Sequence, residues 1–187
     1  MKSSMKNQLR IIGGVHKRRQ LAFANIEGLR PTPDRLRETI FNWLMWDIEG
    51  AKVLDLCAGS GALSFEALSR GAKSVHMIEP SLEQVKFLKQ NLALLNIENA
   101  KVYASTAQQA LAKINESFDV LFLDPPYALN LWEELSKLVD EKLNENALIY
   151  VEADRPLESL NLPKTWQQAK TSKVGIIYAG LYRKSEK

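Results

Sequence analysis

From residue 51 onward the chain alternates between two hydrophobic periods. The segments AKVLDL (51–56), KSVHMIE (73–79), AKVYA (100–104), FDVLFLD (118–124) and NALIYVEA (146–153) are short and apolar, which predicts strands. Between them, GALSFEALSR runs into Gly71, a residue suited to a left-handed helix stop. SLEQVKFLKQNLALL opens with Ser81 and Gln84 at capping-box spacing and aligns Val85, Leu88, Leu92 and Leu95 on one face. Shorter helical patterns follow at about 106–113 and 130–140. Strands that are apolar throughout are covered on both faces. The βαβαβ rhythm therefore predicts an α/β fold, a mostly parallel sheet between helical layers with its ligand crevice at the carboxyl ends of the strands. The tail TWQQAKTSKVGIIYAGLYRK (165–184) alternates polar with apolar residues and predicts a closing antiparallel hairpin.

The first part of the chain has a different character. RIIGGVHKRRQLAF (10–23) predicts a small β-hairpin with a glycine-containing bend and a basic turn. LRPTPDRLRETIFNWLMW predicts a helix with Thr32 as N-cap, Pro33 in the first helical position and Leu36, Ile40 and Leu44 as its apolar face. Trp43 and Trp46, at helical spacing, are expected to pack rather than to stack on bases.

Length and charge refine this picture. A chain of 187 residues, 45% of them apolar, suits one domain, here 1–187, with a basic extension over 1–48 and a core over 49–187. Residues 1–37 carry nine Lys or Arg against two acids, a net +7, whereas the remainder carries −4. Such a head suits a polyanion, most naturally nucleic acid, although a solvated tail would show the same composition. The candidate contacts are Arg10, Lys17, Arg18, Arg19, Arg30, Arg35 and Arg37. A single cysteine, Cys57, excludes an internal disulfide, and neither a secretory leader nor a membrane-length apolar run is present, so a cytoplasmic protein without a membrane partner is expected. His16 and His76 have no partner at ligand spacing, and no metal site is expected.

The first chemical signal is VLDLCAGSGALSFEA. A strand, then Gly59 and Gly61, then a helix is the nucleotide-crevice arrangement, in which glycines admit a ligand close to the backbone. It departs from the dinucleotide fingerprint, because Ser64 stands where a third Gly or Ala belongs. Asp55 at the mouth of the loop would repel a pyrophosphate but attract an ammonium or sulfonium group, and S-adenosylmethionine carries both. Glu79, 20 residues beyond Gly59, is placed for a ribose diol, or for the amino end of the helix that begins near Ser81. Asp55, Cys57, Ala58, Gly59, Ser60, Gly61, Glu79 and Pro80 are thus the candidate cofactor residues, with Cys57 a small packing group rather than a nucleophile.

The second signal is DVLFLDPPYALN (119–130). A buried strand delivers Asp124 to the same crevice, Pro125 and Pro126 stiffen the strand exit while leaving their carbonyls as acceptors, and Tyr127 adds a flat face. Acceptors facing an exocyclic amine on a base would hold it, localise its lone pair and favour the charge that develops as it attacks. A ring stacked on the base is worth about 1–3 kcal/mol. Asp124, Pro125, Pro126 and Tyr127 are therefore the candidate catalytic residues, for direct transfer without a covalent enzyme intermediate.

DLCAGSG followed by DPPY resembles the class I S-adenosylmethionine-dependent amino-methyltransferases over residues 51–184. RIIGG, LRPTPDRLRETIFNWL, DLCAGSGALSFEALSRGA, DPPY and ALIYVE, in that order, are similar to the RsmD family along nearly the whole chain. The resemblance implies a Rossmann-like seven-stranded sheet closed by the last hairpin, an RNA-recognising amino-terminal extension, and methylation of the N2 amine of one guanine in 16S rRNA. It further implies action on an assembling small ribosomal subunit, and a monomer is expected. One position departs from the pattern: where relatives carry Asp or Asn for the adenine amine, this chain has ASTAQQA, leaving Ser105 or Thr106 as weaker acceptors. DNA adenine-N6 methyltransferases and protein glutamine methyltransferases use similar ledges, and a non-catalytic RNA-binding assembly factor could keep the fold.

Overall fold

The computed structural model describes residues 7–186. Lys2 and Lys6 of the basic head lie outside the described residues. The strands and helices are β1 (Asn7–Arg10), β2 (Gln20–Phe23), α1 (Asp34–Trp43), β3 (Lys52–Asp55), α2 (Ala62–Ser69), β4 (Ser74–Ile78), α3 (Leu82–Leu94), β5 (Ala100–Tyr103), α4 (Ala107–Leu111), β6 (Phe118–Leu123), α5 (Trp132–Val139), β7 (Leu143–Ala153), β8 (Trp166–Val174) and β9 (Ile177–Lys184). β3 to β9 form a seven-stranded sheet in the order β5-β4-β3-β6-β7-β9-β8, with β9 antiparallel to both of its neighbours and the others parallel. β7 begins at Leu143 rather than at Asn146. Its polar start is recruited because Asn144 donates to the Asp119 carboxylate of β6 at 2.8 Å.

Alternation along each strand sorts the core onto two faces. Val53, Val75, Met77, Val120, Phe122, Leu148 and Tyr150 face α1, α2 and α3. Leu54, Ile78, Leu121, Leu123, Ile149 and Val151 face α4 and α5. Ser81 caps α3 as expected, its hydroxyl accepting from the Gln84 N–H at 3.3 Å. Gly71 ends α2 with φ +96°.

From Asn7 onward the basic extension is folded into this core. β1 and β2 pair antiparallel, and Leu9, Ile11, Leu21 and Phe23 are buried with α1, α2 and α3. The hairpin bend is clamped to α2. Ser69 donates its hydroxyl to the Gly13 carbonyl and accepts from the His16 N–H, while the fully buried Glu66 accepts from the N–H groups of Ile12 and Gly13. Gly14 is obligatory here: its φ is +78°, and a β-carbon would lie 2.0 Å from the Ser69 carbonyl oxygen.

Three expectations for this region are corrected. Arg37 is not an RNA contact. It is 1% exposed, donates to the carbonyls of Arg10 and Thr32 and pairs with Asp34 and Glu66, because a buried Glu66 requires a cation beside it. Thr32 does not cap α1. Pro33 occupies the cap position without a side-chain bond, and the buried Thr32 hydroxyl donates instead to Glu152 at 3.3 Å. Trp46 does not pack, being 89% exposed just past the end of α1, whereas Trp43 rests against the core.

Among the described residues, removing Arg37 leaves Glu66 with the partly exposed Arg70 as its one cationic partner. Arg37→Ala should therefore lower stability by about 3 kcal/mol, seen as an earlier urea midpoint, whereas Trp46→Ser should stay within about 0.5 kcal/mol of the parent.

Candidate functional site

The parallel order of β4, β3, β6 and β7 brings the carboxyl ends of four strands side by side, and each ends on or next to an acid: Glu79, Asp55, Asp124 and Glu152. Sequence reasoning found three of them. Glu152 stood unassigned within ALIYVE, and its partners, Thr32 and Tyr127, lie 120 and 25 residues away in the chain.

Asp55 ends β3 and is 1% exposed. The Ser64 hydroxyl donates to it at 2.7 Å, which explains the serine in place of the third glycine. Burial pushes its ionisation from the usual 3.8 up to about 7, against hydrogen bonds from Ser64 and the Cys57 backbone and with help from the charge of Glu79. Glu79 accepts from the Gly59 N–H at 2.9 Å through one oxygen and from the Ser81 N–H at 3.1 Å through the other. It thus serves both the glycine loop and the start of α3, and each oxygen keeps a lone pair for a hydroxyl donor. Burial raises its pKa as well, opposed by these two backbone bonds.

The loop between Asp55 and α2 turns on Gly59 (φ +55°) and Gly61 (φ +82°), and a β-carbon on Gly61 would meet Leu88 and Phe65 within 2.8 Å. Ala58 is buried, and its N–H donates to the Ile78 carbonyl; Ser60 is buried, and its hydroxyl accepts from the Ala62 N–H. The Cys57 thiol is kept neutral by burial first and then by the charges of Asp55, Asp124 and Glu79, an environment that suits packing and opposes a thiolate nucleophile. Pro80 is exposed beside Glu79. Across the sheet edge, Thr106 caps α4 by accepting from the Gln109 N–H at 3.2 Å, and Ser105 donates to the Thr106 carbonyl, so both hydroxyls already serve the local turn.

Asp124 follows β6, and its ionisation is raised well above the ordinary carboxylate range. Burial is the main cause, followed by the charge and hydrogen bonding of Glu152 and then the charge of Asp55. Pro125 is buried and Pro126 exposed. The Pro126 carbonyl accepts from the Leu129 N–H at 3.1 Å, closing a 3-10 turn over Tyr127–Leu129, while among the described residues nothing donates to the Pro125 carbonyl. Of the two proline carbonyls, only that of Pro125 is free for a ligand amine. The Tyr127 ring stacks on Trp132 with centroids 6.1 Å apart and its hydroxyl donates to Glu152 at 3.0 Å, so the flat face is held at two points. Arg155 lies over the Trp132 ring, 4.6 Å from its centroid, and donates to the Tyr127 carbonyl at 3.2 Å, bracing the same turn.

The exposed basic residues fall into two groups. Arg30 lies in the segment joining β2 to α1, which passes the glycine loop, and Arg35 lies in the first turn of α1. Leu29 lies 3.1 Å from the position of a β-carbon on Gly59. Lys17, Arg18 and Arg19 occupy the hairpin turn, tied near Ser69 at the opposite end of α2, about 12 Å from the loop for a helix of this length. Arg10 is exposed and pairs with Asp34 at 3.4 Å. Among the described residues no cluster of His, Cys, Asp and Glu could hold a metal ion, and no helix is long and apolar enough to cross a membrane.

Residues 9–183 match the family model described as Conserved hypothetical protein 95. The chain belongs to this family. It is 43% identical to Ribosomal RNA small subunit methyltransferase D of Haemophilus influenzae, with 95% of each chain covered. The solved structure of yhhF from Escherichia coli superposes with a TM-score of 0.87 at 40% identity, covering 97% of this chain and all of that one. The structure of SMU.776, solved in complex with SAH, shares the fold at a TM-score of 0.76 and 12% identity, covering 98% of this chain and 57% of that one. The α/β fold with a mostly parallel sheet expected from the strand rhythm, and the methyltransferase sheet implied by the family resemblance, are both found.

Asp55 binds a proton more tightly folded than unfolded, so its contribution to stability is lost as pH rises from about 4 through about 7. Asp55→Asn should melt above the parent at pH 8, with the gap closing as pH falls towards 4. A gap independent of pH would contradict the assignment.

Proposed function

We propose that this protein transfers a methyl group from S-adenosylmethionine to the exocyclic N2 amine of a guanine in small-subunit ribosomal RNA. The observation that carries this reading is the convergence of Asp55, Glu79 and the Asp-Pro-Pro-Tyr ledge on one sheet edge in a chain 43% identical to a named small-subunit methyltransferase. The residues present suit the cofactor. Asp55 offers a buried carboxylate to a cation, Glu79 keeps acceptor capacity for the ribose hydroxyls, and Gly59 and Gly61 let a ligand approach the backbone. Cys57, Ala58, Ser60 and Pro80 would line the site, with Ser105 or Thr106 beside the adenine.

Bound there, the cofactor supplies an electrophilic methyl group. Asp124 and the Pro125 carbonyl accept the two N2 hydrogens, which holds the amine in line and returns its lone pair from the ring to the nitrogen. Tyr127 stacks on the base, which must be unpaired or flipped out to reach the ledge. As the N–C bond forms, the C–S pair stays with sulfur, and the surplus proton on N2 leaves to an unprotonated Asp124 or to water. Arg30 follows Leu29 at the glycine loop and Arg35 lies in the first turn of α1, and Lys17, Arg18, Arg19 and Arg10 would extend the cationic track towards the far end of α2. In this reading residues 1–48 are the RNA-binding extension of a single domain, and the enzyme works as a cytoplasmic monomer on an assembling small subunit.

The test measures methyl transfer from labelled cofactor to separate pools of ribosomal RNA, DNA and protein. Only small-subunit RNA should be labelled. Asp124→Ala should lose about 10²- to 10⁴-fold in rate while cofactor binding is nearly preserved. The triple change Lys17→Ala, Arg18→Ala, Arg19→Ala should weaken RNA binding and flatten its salt dependence without altering cofactor affinity. Parent-like transfer by Asp124→Ala, or label in DNA or protein instead, would overturn the reading.

A further inference from the structure

Glu152 takes no direct part in the transfer step, yet it is the most heavily engaged acid at the sheet edge. It is the penultimate residue of β7, beside β6, and is 5% exposed. One carboxylate oxygen accepts from the Thr32 hydroxyl at 3.3 Å and the Tyr150 hydroxyl at 2.8 Å, and the other accepts from the Tyr127 hydroxyl at 3.0 Å. Its backbone carbonyl accepts from the Trp132 indole at 2.9 Å, and Trp132 is the surface on which Tyr127 stacks. Asp124 and Glu152 each follow directly on the paired residues Leu123 and Val151 of the adjacent parallel strands, and the charge of Glu152 helps to raise the Asp124 ionisation. Among the described residues no Lys or Arg pairs with Glu152. A buried acid held only by hydroxyls and pressed against a second acid is expensive for stability, and an apolar residue would fill this place more cheaply.

We propose that Glu152 is the positioning residue of the transfer step, its carboxylate fixing the Tyr127 ring, beside Asp124, in the orientation that receives the target amine. This rests on the reading that Asp124 acts at the base. Glu152 is closed in by its partners and does not touch substrate; it acts through Asp124 and Tyr127. Through Thr32 it also ties the amino end of α1 to the ledge, so the extension and the catalytic turn share one anchor.

A pH signature separates positioning from mere packing. The groups around Asp124 are Glu152 and Tyr150 of β7, Tyr127 of the turn, and Asp55 and Cys57 at the end of β3. The nearby cation Arg155 is engaged by Asp154, Asn130 and the Tyr127 carbonyl. Asp124 must be unprotonated to accept from an amine, so the rate falls as pH drops through its raised pKa. Burial and the negative neighbour set that limb, and Glu152→Gln removes the neighbour's charge while keeping its shape. The limb should move to lower pH. Tyr150→Phe deprives Glu152 of one donor, makes it a stronger acceptor for the Asp124 proton, and should move the limb to higher pH.

The experiment records kcat and KM for ribosomal RNA across pH, with cofactor affinity measured by direct titration, for the parent, Glu152→Gln, Tyr150→Phe and Asp124→Ala. Glu152→Gln should lose about 10- to 100-fold in kcat, with KM and cofactor affinity within about twofold, and the two limbs should move in opposite directions. If Glu152→Gln does not fold, the upward limb of Tyr150→Phe decides. A parent-like kcat for Glu152→Gln, or limbs that do not move, would overturn the role of Glu152 while the loss in Asp124→Ala leaves the underlying reading standing. Parent-like activity of Asp124→Ala would remove both.

Discussion

The structure depends on an electrostatic constraint set by topology. Parallel strands deliver their carboxyl ends to one edge, and here β4, β3, β6 and β7 place Glu79, Asp55, Asp124 and Glu152 side by side. The ionisation of Asp55, Glu79 and Asp124 is raised chiefly by burial, and mutual repulsion adds to it for Asp55 and Asp124. A fold selected for stability alone would not collect acids in this way. The arrangement makes sense as a site awaiting positive charge: a sulfonium and an ammonium from the cofactor, and an amine that turns cationic as it is methylated. In the proposed reading, binding and reaction would relieve a repulsion that folding creates.

The amino-terminal extension is held by the opposite device, a buried acid that is satisfied. Glu66, fully buried on α2, accepts from the hairpin backbone and from Arg37 and Arg70. The same helix starts at the glycine loop and ends at Ser69, the clamp for the hairpin bend, so the basic turn and the cofactor loop are fixed to two ends of one rigid element. The segment from Ala24 to Thr32 spans between them. It is pinned at one end by Gln84 on α3 and at the other by Glu152, with Leu29 against Gly59 in between.

Much of this was readable in the sequence. Period-two and helical patterns placed the strands and helices, because burial on both faces writes itself into consecutive residues. The glycine loop and the Asp-Pro-Pro-Tyr ledge were readable because each packs its chemistry into a few adjacent positions. The features that escaped were determined by partners far along the chain. Arg37 sits in a run of charges that looks exposed and is buried because Glu66, 29 residues on, needs it. Thr32 has the right place and type for a helix cap, yet it is claimed by an acid 120 residues later. Glu152 is the penultimate residue of a strand whose neighbouring positions assign it no partner, and only the convergence of Tyr127, Tyr150 and Thr32 gives it a role. Trp46 fits the helical period but falls just beyond the last turn of α1, where it is left exposed.

Methylation of a guanine amine in ribosomal RNA by this acid-lined edge is tested most directly in the RNA itself, by mapping N2-methylguanine in small-subunit ribosomal RNA from cells with and without the gene. One modified guanine should disappear in its absence, return with the parent gene and stay absent with Asp124→Ala. An unchanged modification map would contradict the account.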